Sequence, residues 1–386
     1  MTKVRPGLEV FLEQRMDLVR GLRVGLVTNH SAVTREFTHA VDALMNAGVR
    51  LTAVFGPEHG VRGDTADGQE IPSSVDIRTG IPVYSLYGQI KKPTPEMLSN
   101  IDVLLYDIQD VGCRFYTYTY TMSYSMQSCG QNGKRFVVLD RPNPVSGKTV
   151  EGNILDTEYS SFVGLHPIPI RHGMTAGEMA TLLNAELCFN ADLEIVECQG
   201  WKRSMWFDET NLPWIVPSPN MPTLDAALLY GGLCMIEGTN VSEGRGTTKP
   251  FEMVGAPWTD GYVIAEQLNS LNLPGVYFRP VFFTPCTSKH QQQKCSGIQV
   301  HVLDRDVVKA VDVGLHVIKT FHDLYPEDFQ FRPPGTSGKH FFDLLAGTNE
   351  IRIAIEEGVS VDDIVETWRK ELQDFIRVRQ KYLIYS

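Results

Sequence analysis

The sequence has no long apolar segment, no paired-cysteine motif and no excess of positive charge, and each absence excludes a class of protein. No apolar run reaches the roughly 18 residues that span a bilayer. The first residues, MTKVRPGLEVFLEQ, contain no apolar signal core. We therefore predict no membrane association. We expect a cytoplasmic location for the chain as it stands, or an extracellular one if an export signal has been removed.

The composition is that of an acidic globular protein. The formal net charge is −11, from 35 basic and 46 acidic residues. This balance argues against nucleic acid as a partner. The seven cysteines are odd in number and form no C-x-x-C pair. They therefore indicate scattered thiols rather than a disulfide framework or a zinc site. Apolar residues make up 42% and charged residues 21%, an ordinary proportion for a folded domain.

Several motifs that carry common chemistries are also missing. The first predicted strand-to-helix turn, VTNHSAVTREF, has no glycine, and no G-x-x-x-x-G-K-[ST] or G-x-S-x-G motif occurs. We therefore predict no nucleotide cofactor and no serine esterase. His30, His59, Asp64, Asp107 and Asp110 include possible metal ligands, but no H-E-x-x-H spacing supports a metal site. The prediction is no cofactor and no metal.

Alternating strand and helix patterns dominate the first 140 residues. The predicted strands are 23–28, 51–56, 81–86, 102–109 and 135–140, with helices at 39–48, 94–100 and 116–130. This alternation indicates a parallel sheet covered by helices. Helix 174–187, with a Thr175–Glu178 capping box, and strand 193–198 follow.

The rest of the chain has a different pattern. Strands are predicted at 275–283 and 297–303, and helices at 306–324 and 361–382. We place a boundary near 227–233, at the double glycine. The predicted fold class is α/β: a Rossmann-like parallel-sheet N-terminal domain at 1–229, and a smaller α+β C-terminal domain at 230–386 that closes a cleft.

Four of the predicted strands end in polar residues. In a parallel sheet, ligands bind beyond the carboxyl ends of the strands. We therefore expect these four ends to line one cleft. Their residues are Thr28, Asn29 and His30; Glu58 and His59; Asp107, Gln109 and Asp110; and Asp140, Arg141 and Asn143.

The turn FGPEHG presents the most distinctive carboxylate. Pro57 makes the turn rigid, and the apolar strand before it favours the neutral, proton-donating form of Glu58. His59 is placed to hydrogen-bond Glu58 or a substrate hydroxyl. The alternative is that Glu58 caps a neighbouring helix. The carboxylates, arginine and tyrosines of YDIQDVGCRFYTYTYTM, 106–122, suit a sugar, unless this segment is a buried aromatic helix.

A third polar segment, 236–258, reads IEGTNVSEGRGTTKPFEMVGAPW and is rich in glycine. Loops of this composition commonly carry function. Its candidate residues are Glu237, Asn240, Glu243 and Arg245. Arg171 in RHG and Asn220 in PSPNMPT lie in shorter segments that serve either as site residues or as structural turns.

Taken together, these segments resemble a known family. GLVTNHSAV, FGPEHGVRG, YDIQDVGCRFYTY, DRPNP, EGN, PSPNMPT and EGTNVSEGRGTTKPFE are similar, in order, to the motifs of the exo-β-N-acetylmuramidases called NamZ, over residues 24 to about 258. The resemblance implies a glycoside hydrolase that releases N-acetylmuramic acid (MurNAc) from the non-reducing end of peptidoglycan fragments such as MurNAc–GlcNAc. It also implies an active site in a cleft between two domains, with Glu58 as the catalytic glutamate.

Glycoside hydrolysis normally needs an acid and a second group. Glu58 is the predicted acid. Asp107, Asp110 or Glu243 is the second group, unless the substrate's own acetamido oxygen takes that part. Arg114, Arg171 and Arg245 are candidates to bind the lactyl carboxylate of MurNAc. The other predicted substrate-binding residues are Asn29, His30, Tyr116, Tyr118, Asn220, Glu237 and Asn240. Loop 236–250 is expected to close one end of the cleft. Two alternatives remain: a metal-assisted hydrolase of another substrate class, and a non-catalytic protein that binds cell-wall fragments.

Overall fold

The computed structural model describes residues 3–62 and 74–386; Asp64, considered above as a metal ligand, lies outside them. The strands are β1 Val24–Thr28, β2 Leu51–Gly56, β3 Ser74–Val75, β4 Pro82–Ser85, β5 Val103–Asp107, β6 Arg135–Leu139, β7 Glu151–Ile154, β8 Pro169–Arg171, β9 Asp192–Val196, β10 Met253–Ala256, β11 Val276–Phe283 and β12 Cys295–Val302. The α-helices are α1 Gly7–Gln14, α2 Ala40–Asn46, α3 Pro95–Leu98, α4 Tyr118–Gln131, α5 Ala176–Glu186, α6 Leu224–Leu233, α7 Gly261–Ser270, α8 Ala310–Leu324, α9 Phe341–Ala346, α10 Glu350–Glu356, α11 Val361–Thr367 and α12 Arg369–Arg379.

The N-terminal part is built on a seven-stranded sheet. Its strand order is β3-β4-β2-β1-β5-β6-β9, and every neighbouring pair is parallel except the edge pair β3–β4. Strands β1 and β5 are buried along their whole length. Nearly continuous apolar sequence is typical of strands covered on both faces. The predicted α/β class is confirmed.

The C-terminal part is smaller and contains an antiparallel sheet of order β10-β12-β11. Its helix α8 packs against α6. The double glycine at the predicted boundary is part of this helix contact, since a Cβ on Gly232 would lie 1.8 Å from the Ala310 carbonyl oxygen. Helix α6 runs across the proposed division after residue 229. That exact division stays a prediction.

Three local features refine the sequence-based expectations. The capping box is confirmed: the Glu178 amide donates to Thr175 Oγ1, and the Thr175 amide donates to Glu178 Oε2. The predicted helix 361–382 is divided at Trp368 into α11 and α12. The short antiparallel pair β7–β8 was not predicted.

Within the described residues, no helix has both the length and the apolarity to cross a bilayer.

Candidate active site

A tight turn follows β2 and carries Glu58 and His59. The Gly60 amide donates to the Pro57 carbonyl oxygen over 3.0 Å, which closes the turn. His59 has a φ of 71°, in the left-handed region that non-glycine residues rarely adopt. His59 is buried, whereas Glu58 is half-buried. Backbone strain of this kind concentrates at functional sites, where the surrounding structure supports it.

Glu58 lines a cleft, and a residue at the start of α4 forms a hydrogen bond with its carboxylate. The Thr117 hydroxyl donates to Glu58 Oε2 over 3.1 Å. Two cavities, of about 70 and about 1040 Å³, both have Glu58, Asn220 and Arg245 in their walls. They therefore adjoin each other, and we call the two together the Glu58 cleft. The predicted acid is thus positioned at a ligand-sized opening, at the carboxyl edge of the sheet.

Aromatic rings form the inner wall of the Glu58 cleft. Tyr116 packs edge-on against Tyr118 and Tyr230, with ring centroids 4.8 and 6.0 Å apart. The Tyr118 hydroxyl donates to the Pro217 carbonyl oxygen over 2.7 Å. Burial raises the pKa of Tyr116 and of Tyr118, so both phenols are neutral. Both predicted sugar-binding tyrosines line the smaller cavity. Both rings are buried, so they fix the shape of the inner wall.

A charged cluster around Arg245 lies next to these rings, with the Arg245 guanidinium 5.2 Å from the centre of the Phe251 ring. Arg245 Nη2 lies 2.9 Å from Glu237 Oε1, and its Nε lies 3.6 Å from Glu243 Oε1. Lys289 Nζ lies 2.8 Å from Glu243 Oε2. Burial raises the pKa of Glu237, against the opposing effect of Arg245. Glu237 and Arg245 line the larger cavity.

Glu243, a predicted candidate for the second catalytic group, belongs to neither cavity wall. Its side chain is 2% exposed and is bound between Arg245 and Lys289. A carboxylate held by two cations in this way orients them rather than meeting a substrate. We therefore interpret Glu243 as a residue that positions Arg245.

The loop between β11 and β12 also lines the Glu58 cleft, which the sequence did not indicate. Thr284, Cys286, Thr287 and Ser288 belong to the wall of the larger cavity. The loop is held by Gly246, which has a φ of 77° and whose added Cβ would lie 2.6 Å from the Thr287 amide nitrogen. No residue type in this loop signals a function. Only the tertiary contact places it at the site.

Asp107 does not have the location that its predicted catalytic role requires. It is fully buried, and its two oxygens lie 2.5 and 3.0 Å from Arg141 Nε and Nη2. The end of β5 thus neutralises an arginine at the end of β6. We correct the prediction: Asp107 is part of a buried ion pair. The four strand ends therefore do not all line one cleft.

Arg114 and Arg171 are also structural rather than substrate-facing. Arg114 is fully buried and donates to the carbonyl oxygens of Asn153, Ile168, Leu345 and Ala346 over 2.7 to 3.2 Å. It thereby joins the two parts of the chain, and burial lowers its pKa to about 10. Arg171 is bound by Glu151 and by a backbone carbonyl. Of the three predicted arginines, Arg245 lines the cleft.

Four other predicted residues stabilise loops and belong to neither cavity wall. Asn29 Oδ1 accepts from the Ser31 amide, and Asn240 Oδ1 from the Gln330 amide. His30 Nε2 lies 2.7 Å from the Val216 carbonyl oxygen, and burial lowers the His30 pKa. The half-buried Asp110 accepts from the Gly112 amide and the Thr119 hydroxyl. Its pKa is raised to about 6 by burial.

Across residues 3–62 and 74–386, no group of three or more His, Cys, Asp or Glu side chains has an arrangement that could hold a metal ion.

Comparison with known proteins gives consistent matches over nearly the whole chain. Residues 24–225 match the model of the N-terminal domain of exo-β-N-acetylmuramidase NamZ, and residues 228–385 match that of its C-terminal domain. The peptidoglycan β-N-acetylmuramidase NamZ of Bacillus subtilis (strain 168) is 54% identical over 384 residues, which cover 99% of this chain and 92% of that protein.

Solved structures show the same relationship. A DUF1343 family protein from Bacteroides fragilis NCTC 9343 superposes with a TM-score of 0.93 at 40% identity, and covers 100% of both chains. A second DUF1343 family protein from that organism gives a TM-score of 0.78 at 33% identity, covering 100% of this chain and 99% of the other. With two domain models matched in order and a relative of this identity, the chain belongs to the NamZ family of exo-β-N-acetylmuramidases.

Proposed function

We propose that this chain is a glycoside hydrolase that releases MurNAc from the non-reducing end of peptidoglycan fragments such as MurNAc–GlcNAc. The observation that carries the proposal is the position of Glu58: a carboxyl group on a strained turn, in a cleft with aromatic and arginine walls. Membership of the NamZ family supports the same reaction and the same sugar.

Glu58 acts as the proton donor to the glycosidic oxygen. Departure of a GlcNAc alkoxide is slow unless a general acid protonates it as the bond breaks. The Thr117 hydroxyl holds Glu58 Oε2, and the turn holds its backbone, so the carboxyl group is oriented before substrate arrives. Preorganisation of this kind lowers the barrier because little reorientation is needed during the reaction.

Arg245 binds the lactyl carboxylate of the muramic sugar. It is the cation that the two cavity walls share with Glu58, and Glu237 and Glu243 hold its guanidinium in place. A guanidinium binds a carboxylate through two parallel hydrogen bonds, which gives both affinity and orientation. Substrates that lack the lactyl group would lose this contact.

Glu237 takes the second role, since it lies in the larger cavity together with Glu58. It acts either on the attacking water or on the substrate's acetamido group. These routes differ in stereochemistry, because direct attack by water inverts the anomeric centre and acetamido participation retains it. The 284–288 loop, packed against Gly246, closes the cleft on this side and limits cleavage to chain ends.

The test is incubation of the purified chain with MurNAc–GlcNAc, followed by NMR of the fresh product. We expect equal amounts of MurNAc and GlcNAc, and the first anomer of MurNAc reports inversion or retention. A matched control is the GlcNAc–GlcNAc disaccharide, which lacks the lactyl group and should be cleaved far more slowly. Saturable binding of MurNAc–GlcNAc without any cleavage would refute the proposal and favour a binding protein.

A further inference from the structure

A second large cavity lies away from the Glu58 cleft. Its volume is about 1050 Å³, and it lies between α5 and the C-terminal helices α10, α11 and α12. Its lining residues do not overlap with those of the Glu58 cleft. We call it the α5–α12 cavity. The proposed glycosidase reaction makes no use of it.

The walls of the α5–α12 cavity are apolar. They include Leu183, Ile351, Ile364 and Trp368, each no more than 6% exposed. They come from segments more than 150 residues apart in sequence, one before residue 188 and one after residue 347. Such walls favour the apolar body of a ligand, because its burial removes hydrocarbon surface from water.

The charged residues that line this cavity are all acidic. They are Asp156, Glu186, Glu350, Glu371 and Asp374, and the lining contributed by the described residues includes no Lys, Arg or His. Glu350 and Glu371 are exposed, and neither forms an ion pair within the described part of the chain. An acidic rim around an apolar interior attracts cations and repels anions. A fatty acid or another anionic amphiphile is therefore disfavoured.

From these two observations, we infer that the α5–α12 cavity binds a small amphiphilic cation, with an aliphatic or aromatic body and a positively charged amine. The apolar walls hold the body, and the rim carboxylates attract the charge. Because the walls come from both parts of the chain, a bound ligand also stabilises their association.

Isothermal titration calorimetry of the full chain tests this, with n-decylammonium as the probe below its micelle concentration. Two matched probes have the same alkyl chain: decanoate, which is anionic, and 1-decanol, which is uncharged. We expect one saturable decylammonium site per chain. Each matched probe should bind at least about fivefold more weakly. Equal affinity for either matched probe would overturn the inference.

Variants locate the binding site. Ala354→Trp places an indole in the cavity from α10, and should abolish decylammonium binding while MurNAc–GlcNAc cleavage is unchanged. Its control is Ala185→Trp, on the exposed face of α5 and outside the lining. Unchanged affinity in folded Ala354→Trp would overturn the inference.

A second pair of variants does not depend on how Ala354→Trp folds. Replacing Glu350 and Glu371 together by Gln should weaken decylammonium binding by about fivefold. The control replaces Glu357 and Glu366, two exposed glutamates outside the lining, by Gln. An equal loss in both pairs would mean that the net charge attracts the probe, and would refute a rim-specific site.

Discussion

The substitution Glu58→Gln tests the proposed proton donor directly. Glutamine has nearly the shape of glutamate, and the Thr117 hydroxyl that donates to Glu58 Oε2 over 3.1 Å can donate equally to an amide oxygen. The side chain is half-buried, so the change should lower the free energy of unfolding by no more than about 1 kcal/mol. The turn that carries it should persist.

The expected loss follows from the chemistry of the leaving group. Removal of a general acid typically costs about 10²- to 10⁴-fold in rate, or about 3 to 5 kcal/mol in the activation barrier. The GlcNAc alkoxide leaving from MurNAc–GlcNAc needs a proton, so that substrate should show the upper end of the range. A nitrophenolate leaves without one, so 4-nitrophenyl MurNAc should lose only about ten- to a hundredfold.

The assay measures kcat for both substrates in the wild-type chain and in the variant. Glu357→Gln is the control, since Glu357 is an exposed glutamate at the end of α10. It should leave both rates unchanged. Circular dichroism and a urea unfolding curve establish that Glu58→Gln is folded. The discriminating quantity is the ratio of the two losses, because a general defect in binding or folding would reduce both rates by the same factor.

Two results would refute the reasoning about Glu58. One is cleavage of MurNAc–GlcNAc by folded Glu58→Gln within about threefold of the wild-type rate, far less than loss of an acid predicts. The other is an equal loss on both substrates, which would mean that Glu58 does not protonate the leaving group.

Three further predictions concern the charged residues. Arg245→Ala should raise KM for MurNAc–GlcNAc by about ten- to a hundredfold with a smaller change in kcat, measured by steady-state kinetics; a loss confined to kcat would contradict lactyl binding. Burial raises the pKa of Asp140 from 3.8 to about 6, so its contribution to stability is present below about pH 4 and is lost as pH rises through about 6. Between pH 4 and 7, the free energy of unfolding of the wild-type chain should therefore fall by up to about 3 kcal/mol more than that of Asp140→Asn, measured by urea denaturation. The same pH profile in both proteins would contradict this. Arg141→Met leaves Asp107 buried without its partner and should cost about 3 to 5 kcal/mol in urea denaturation, whereas an unchanged midpoint would exclude a structural ion pair.

The elements of the N-terminal sheet could be predicted because their signals are local. The prediction for β2, 51–56, coincides with the observed strand, and the other predicted sheet strands overlap the observed ones. Apolar runs, a Thr-Pro start and a capping box act on a few neighbouring residues at a time. The contact between Gly232 and α8 could not be predicted, because it depends on a helix that lies outside the local pattern.

The candidate site was likewise predictable only where its signals are local. FGPEHG predicts a carboxylate on a rigid turn, and the structure places Glu58 there, at a cleft. The sequence could not show which of Asp107 and Glu237 lies at the cleft, since both follow apolar segments. The difference is that Asp107 meets Arg141, 34 residues later, whereas Glu237 meets Arg245 at the cleft wall.

The amino-acid sequence alone was thus sufficient to predict the α/β class and the turn with Glu58, and to show the resemblance to the NamZ family. These depend on short stretches whose residues interact with their near neighbours. Folding in three dimensions was needed to select Arg245 over Arg114 and Arg171, and to bring the 284–288 loop to the site. The physical reason is that a buried charge must be neutralised or hydrogen-bonded, and the groups that do so for Arg114 come from segments up to 232 residues away.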